Sequence, residues 1–201
     1  MQNYLCADCE GVFTPEIWVE VAKKTDIKEL EITTKDEPDY NKLMKRRIEI
    51  LKENNIKLKD ITEIISGLKP VDGALEFLNW AGDIGLQIGI VSDTFTQFAG
   101  PIMKQLGYPA LFCNELIIND EGFISDYKLR QPDQKKEVVM AMKKLNYKVI
   151  AFGDSYNDIE MLKEAENGIL YRPPKNVMDE FPQFPVAQSY EELKEKILEL
   201  I

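Results

Sequence analysis

The chain has 201 residues, of which 44% are apolar and 30% charged, and its net charge is −10. That suits one domain, or one domain with an insertion, and a sizeable core; the acidic balance argues against a nucleic-acid binder, which shows a basic face. The chain has no histidine, which excludes Ser-His-Asp and Cys-His catalysis and histidine metal sites, and it has no apolar run long enough to span a bilayer. No basic-then-apolar leader is visible in "MQNYLCADCEGVF", so a cytoplasmic setting is expected.

"NYLCA" reads as a short buried parallel strand closed by polar residues. From Pro15 to about Lys69 the pattern turns helical, with no convincing strand. "PEIWVEVAKKT" repeats Ile17, Val21 and Ala22 behind Pro15, "YNKLMKRRIEILKENN" carries Leu43, Ile48 and Leu51, and "LKDITEIISGL" ends near Gly67. Alternation then begins. "GALEFLNWAGDIG" is expected to be a helix, "LQIGIVSDT" a strand, "QFAGPIMKQLG" a helix and "ALFCNELII" extended. "NDEG" is expected to turn a hairpin into "FISDYKLR". "QKKEVVMAMKKLN" reads as a helix, "YKVIAFGDS" as a buried strand and "NDIEMLKEAEN" as a helix capped by Ser155 or Asn157. "GILY" reads as a strand, and "SYEELKEKILELI" as a closing helix with a capping-box start.

Strands alternating with helices predict an α/β fold with a parallel sheet covered on both faces. The helical block interrupts this pattern directly after the first strand. The economical division is a core of residues 1–13 and 70–201 with an all-helical insertion at 14–69.

Three strands finish in polar clusters: "CADCE", "VSDT" and "FGDSYND". Ligands of open α/β sheets bind beyond the carboxyl ends of the strands, which brings Asp8, Glu10, Ser92, Asp93, Asp154 and Asp158 to one region. Any one of these acids is ordinarily a turn residue or a helix cap. Clustered together they repel unless some are protonated or a cation sits among them, and oxygen ligands without histidine favour Mg²⁺. A phosphate there needs donors, which Ser92, Thr94 and a helix N-terminus supply, and Lys135 starts a helix from which it reaches the same edge. With no histidine, a carboxylate is the natural covalent nucleophile, through an aspartyl phosphate. Cys6-x-x-Cys9 permits a redox reading; against it, Cys6 lies inside an apolar run, and the plain alternative is a pair of small buried hydrophobes.

Asp8-x-Glu10-Gly-Val12, Ser92-Asp93-Thr94, Lys135, and Gly153-Asp154 with Asn157-Asp158 resemble, in order, the four motifs of haloacid-dehalogenase-type phosphatases. The chain is most similar to their phosphoserine phosphatase branch, and within it to enzymes that also pass the phosphoryl group to homoserine. The resemblance implies a Rossmann-like parallel-sheet core with an inserted α-helical cap of the family's first (C1) type. It implies Asp8 as nucleophile, Glu10 as general acid and base, and Asp158 as the residue that orients Lys135 or a metal-bound water. It implies Mg²⁺ on Asp8, the Glu10 backbone carbonyl and Asp154, and phosphoryl oxygens on Ser92, Asp93 (through its backbone N–H), Lys135 and Asn157. In the cap, Glu16 would meet the substrate ammonium and Arg47 its carboxylate. Phosphoserine and homoserine are the expected small-molecule partners, with no nucleic acid and no membrane, and a homodimer is one assembly left open. Ordinary members of the branch carry aspartate at Glu10 and glycine at Asp93, which loosens the inference to plain phosphoserine hydrolysis. A phosphatase for another small phosphate ester and a non-catalytic receiver-like phospho-acceptor stay open. Taken alone, the adjacent lysines at 135 and 136 read as a solvated helix start, only spacing singling out Lys135, and Glu16 reads as a helix N-terminal acid.

Overall fold

A computed structural model describes residues 2–33, 36–37 and 39–201; positions 34, 35 and 38 of the helical stretch lie outside it. Among the described residues seven strands form one sheet in the order β4-β3-β2-β1-β5-β6-β7. They are β1 (Gln2–Ala7), β2 (Gln87–Phe95), β3 (Ala110–Ile118), β4 (Ile124–Lys128), β5 (Tyr147–Gly153), β6 (Asn167–Tyr171) and β7 (Val186–Ala187). Every pairing is parallel except β3 with β4, the hairpin turned by Asn119–Gly122, where Asn119 Oδ1 accepts the N–H groups of Glu121 and Phe123. β1 lies at the centre, with β2 on one side and β5 on the other. The chain therefore reverses its direction of sheet growth at β1, the place where such sheets bind ligands.

The strands bury both faces. Along β1 and β5, Leu5, Ala7, Ile150 and Phe152 face one core and Tyr4, Cys6, Val149 and Ala151 the other, the two-residue period of a strand. The first core is covered by α4 (Ala74–Asp83), α5 (Thr96–Gln105) and α9 (Tyr190–Leu198), the second by α6 (Gln134–Lys144), α7 (Ile159–Glu164) and α8 (Lys175–Glu180). Between β1 and α4 come α1 (Ile17–Thr25), a 3-10 turn (Lys28–Glu31), α2 (Tyr40–Glu53) and α3 (Leu58–Ser66). These helices lean on the rest of the protein at two aromatic contacts, Trp18 against Phe98 and Tyr40 against Tyr127. Among the described residues no helix is long and apolar enough to cross a membrane.

Most expected elements stand where the pattern places them, with a few departures. The helix expected from Asn157 is split into a 3-10 turn at Tyr156–Asp158 and a short α7, and Ser155 occupies the cap position. The Asp158 carboxylate accepts the N–H groups of Asp154 and Ser155 there, which holds the turn tight. α8 and β7 were not expected: they lie in "RPPKNVMDEFPQFPVAQ", where four prolines hide any period and the strand is two residues long.

Candidate active site

Asp8 follows the last residue of β1, and its N–H donates to the Phe152 carbonyl of β5 at 3.0 Å. The register Ala7↔Ile90 and Ala7↔Phe152 puts it level with the carboxyl ends of β2 and β5, so Ser92, Asp93 and Asp154 are its neighbours across the sheet. Two glycines permit the crowding. A Cβ on Gly11, whose φ is +80°, would lie 2.6 Å from Asp154 Oδ2, and one on Gly153 would lie 2.3 Å from Asp158 Cγ.

Lys135 leaves the first turn of α6 and is buried among these acids, not solvated as its lysine neighbour suggests. Its Nζ donates to Asp8 Oδ1 and to Asp158 Oδ1, each at 2.7 Å. Asp158 is fully buried, and its other oxygen takes the two backbone N–H groups, so it holds Lys135 against Asp8. Burial opposes the Lys135 charge, but Asp158 and Asp8 outweigh it and hold its ammonium well above the usual lysine value. Burial, then the Asp158 charge, pushes Asp8 up from the usual carboxylate range, and Lys135 only partly opposes this.

Asp8, Asp154 and Asp158 bring carboxylate oxygens within 4.8 Å of one another. With both Asp158 oxygens engaged, Asp8 and Asp154 are the members of the trio that could hold a metal. An all-carboxylate set, crowded and short of positive charge, fits a hard divalent cation of the Mg²⁺ kind.

The rim is built partly from the helical segment. One small cavity of about 60 Å³ is lined by Asp8, Glu10, Ser92, Asp93, Lys135, Asp154 and Asn157 from the sheet side. Glu16, Trp18, Thr33, Tyr40 and Arg47 close it from above. Glu10 is half-buried, and its Oε2 accepts the Ile17 N–H at 3.0 Å. Burial and the nearby Glu16 push its carboxyl up to about 7, the Ile17 N–H and Arg47 pulling the other way. Arg47 is buried and Arg46 exposed. The Arg47 guanidinium stacks over Trp18, 4.5 Å from the ring centroid, and one nitrogen donates to the Ile32 carbonyl at 2.7 Å. Burial lowers its pKa to about 10, which leaves it charged at neutral pH. Asn157 is fixed at both ends, with Oδ1 accepting from Ser155 Oγ at 2.6 Å and Nδ2 donating to Asp93 Oδ2 at 2.9 Å.

The structure thus gathers Asp8, Glu10, Glu16, Arg47, Ser92, Asp93, Lys135, Asp154 and Asn157 around one cavity, with Asp158 directly behind. Thr94 is buried and does not line it; its N–H donates to Ser92 Oγ. Cys6, Cys9 and Cys113 are free and buried, and neither of the first two lines the cavity. Sequence reasoning missed Thr33, Ser155 and Tyr40 as lining residues, and of these Tyr40 ties two elements together. Its hydroxyl donates to the Asp93 carbonyl at 2.9 Å, tying α2 to the end of β2. The signal was present, since Tyr40 stands two helical turns before Arg47 on the same face.

Comparison with known proteins matches residues 9–166 to the family of haloacid dehalogenase-like hydrolases. The chain is 52% identical over 193 residues to phosphoserine phosphatase ThrH of Pseudomonas aeruginosa, covering 96% of this chain and 94% of that protein. It is 50% identical to a phosphoserine phosphatase of Pseudomonas syringae, covering 96% and 81%. Among solved structures, a phospho-aspartyl intermediate analogue of phosphoserine phosphatase aligns with a TM-score of 0.78 at 21% identity, over 100% of this chain and 99% of its own. A substrate-bound phosphoserine phosphatase complex aligns at 0.76 and 20% identity, over 100% and 99%. At such identities the structural matches establish the shared fold.

Proposed function

The chain belongs to the haloacid dehalogenase-like hydrolases, and from that membership we propose that it is a phosphoserine phosphatase that also passes the phosphoryl group to homoserine. The observation that carries the reading is the Lys135 ammonium, buried and held 2.7 Å from both Asp8 and Asp158 beneath a cavity that Arg47 and Glu16 line. Residues 1–13 and 70–201 act as the catalytic core and residues 14–69 as its cap.

In the first step Asp8 attacks phosphorus. The bond from phosphorus to the aspartyl oxygen forms, the bond to the seryl oxygen breaks, and Glu10 gives its proton to that oxygen. In the second step the Glu10 carboxylate takes a proton from water or from the homoserine hydroxyl as the oxygen attacks phosphorus and releases Asp8. A carboxyl held near 7 suits both directions of transfer. Ser92, Lys135, Asn157 and the Asp93 N–H bind the phosphoryl oxygens, where charge needs stabilising. Arg47 meets the substrate carboxylate with its planar fork and Glu16 the ammonium. Mg²⁺, held by Asp8, the Glu10 carbonyl and Asp154, would neutralise charge on the phosphoryl group.

The test is incubation of the protein with Mg²⁺, phosphoserine and homoserine, following phosphate and phosphohomoserine. Both products are expected. A clear preference for phosphate esters lacking an amino-acid body, such as sugar phosphates, contradicts the assignment of Glu16 and Arg47.

A further inference from the structure

Asp93 lines the cavity yet does none of the work of the other acids there. It is outside the Asp8, Asp154, Asp158 cluster. Its Oδ2 stands 3.9 Å from Lys135 Nζ, which Asp8 and Asp158 already hold at 2.7 Å. Its close side-chain partner is Asn157, whose Nδ2 donates to Oδ2 at 2.9 Å; Gln134 Nε2 lies at 3.5 Å from Oδ1. The Asp93 backbone is anchored independently of that carboxylate, because its carbonyl accepts from Tyr40 at 2.9 Å and from Asn114 at 3.3 Å. With 34% of its side chain exposed, a charged oxygen pair therefore faces the same space as Ser92, Lys135 and Asn157. It consumes one of the two amide hydrogens Asn157 has to offer.

We propose that Asp93 weakens the hold of this cavity on any phosphoryl group, so that inorganic phosphate, which has no amino-acid body for Glu16 and Arg47 to retain, leaves readily. The inference rests on reading this cavity as a phosphoryl site. Any phosphoryl group bound there meets the Asp93 charge at short range and competes with it for Asn157. A like charge in a partly screened site weakens anion binding by about ten-fold. An ester with an ammonium and a carboxylate offsets this through Glu16 and Arg47, whereas inorganic phosphate has nothing further to offer. The consequence of this repulsive element is prompt release of the phosphate product.

The competing role, mere positioning of Asn157, is separable. Asp93→Asn removes the charge but keeps an oxygen to accept from Asn157, whereas Asp93→Gly removes both. Calorimetric titration of inorganic phosphate into the Mg²⁺-loaded wild type, both variants and Asp126→Asn, an exposed acid on β4, makes the comparison, with phosphoserine turnover measured alongside. The expected result is a Kd for phosphate about ten-fold lower in both Asp93 variants, unchanged in Asp126→Asn, with tighter phosphate inhibition of turnover in parallel. Asp93→Ser takes the place of Asp93→Asn if the latter does not fold. Equal phosphate affinity in wild type and Asp93→Asn, with turnover intact, overturns the inference and leaves the phosphatase reading standing. If none of the proteins binds phosphate or turns over phosphoserine, the phosphoryl-site reading fails and this inference falls with it.

Discussion

Asp158 accepts the Lys135 ammonium at 2.7 Å with one carboxylate oxygen and the N–H groups of Asp154 and Ser155 with the other. One buried side chain thus fixes both the cation beside Asp8 and the turn that carries Asp154. Asp158→Ala leaves Lys135 half-paired and two N–H groups without an acceptor. Breaking such a buried pair costs about 3–5 kcal/mol, a loss read from urea unfolding of the metal-free protein. Activity falls with it, because Lys135 is no longer held in place.

Arg47 is read as a substrate ligand with a planar fork, which lysine cannot reproduce. Arg47→Lys is expected to weaken phosphoserine binding by about 2–3 kcal/mol, a KM increase of roughly 30- to 150-fold. Turnover of an aryl phosphate without ammonium or carboxylate is expected to change little. The two KM values, measured side by side, check this.

The carboxylate pair of Asp8 and Asp154 makes a thermal prediction. A cation that binds only the folded protein stabilises it by about 2.7 kcal/mol at a hundred times its Kd. Mg²⁺ is therefore expected to raise the Tm of the wild type and to leave Asp154→Asn nearly unmoved. Scanning calorimetry with and without Mg²⁺ checks the difference.

The buried thiols set a pH dependence. Burial pushes Cys6 from an ordinary value of 9.0 up to about 12, and Cys9 rises as well through burial and the charges of Glu10 and Asp8. Between those values the unfolded chain has lost protons that the folded one keeps, so this contribution makes stability fall as pH rises from about 9 towards 12. At pH 8 the native thiols are protonated and covered. Reaction with a thiol reagent is then expected to run no faster than unfolding, and rapid reaction of Cys6 or Cys9 in the native protein would revive the redox reading.

Much of the site was legible because its acids sit at strand ends, and strand ends announce themselves as apolar runs closed by polar residues. Asp8, Asp93 and Asp154 follow from that pattern and from the rule that such sheets bind ligands at their carboxyl edge. What stayed hidden depends on partners far along the chain. Lys135 looks solvated beside Lys136; its burial comes from Asp8, 127 residues away, and from Asp158. The hydrogen bond from Tyr40 to the Asp93 carbonyl joins residues 53 apart, and the one from Asn157 to Asp93 joins residues 64 apart. No local period encodes either. Only the resemblance points to Arg47; the physical reason that it, and not the exposed Arg46 beside it, faces the site is visible once Trp18 is seen beneath its guanidinium.

The central claim is that Asp8 carries the phosphoryl group, and trapping it is the most direct test. Protein mixed with Mg²⁺ and phosphoserine labelled on phosphorus, then quenched in acid, is expected to hold label on the peptide containing residue 8, and hydroxylamine is expected to release it as from an acyl phosphate. Asp8→Asn is expected to take up none and to show no turnover. Label on another residue, or turnover surviving in Asp8→Asn, contradicts the account.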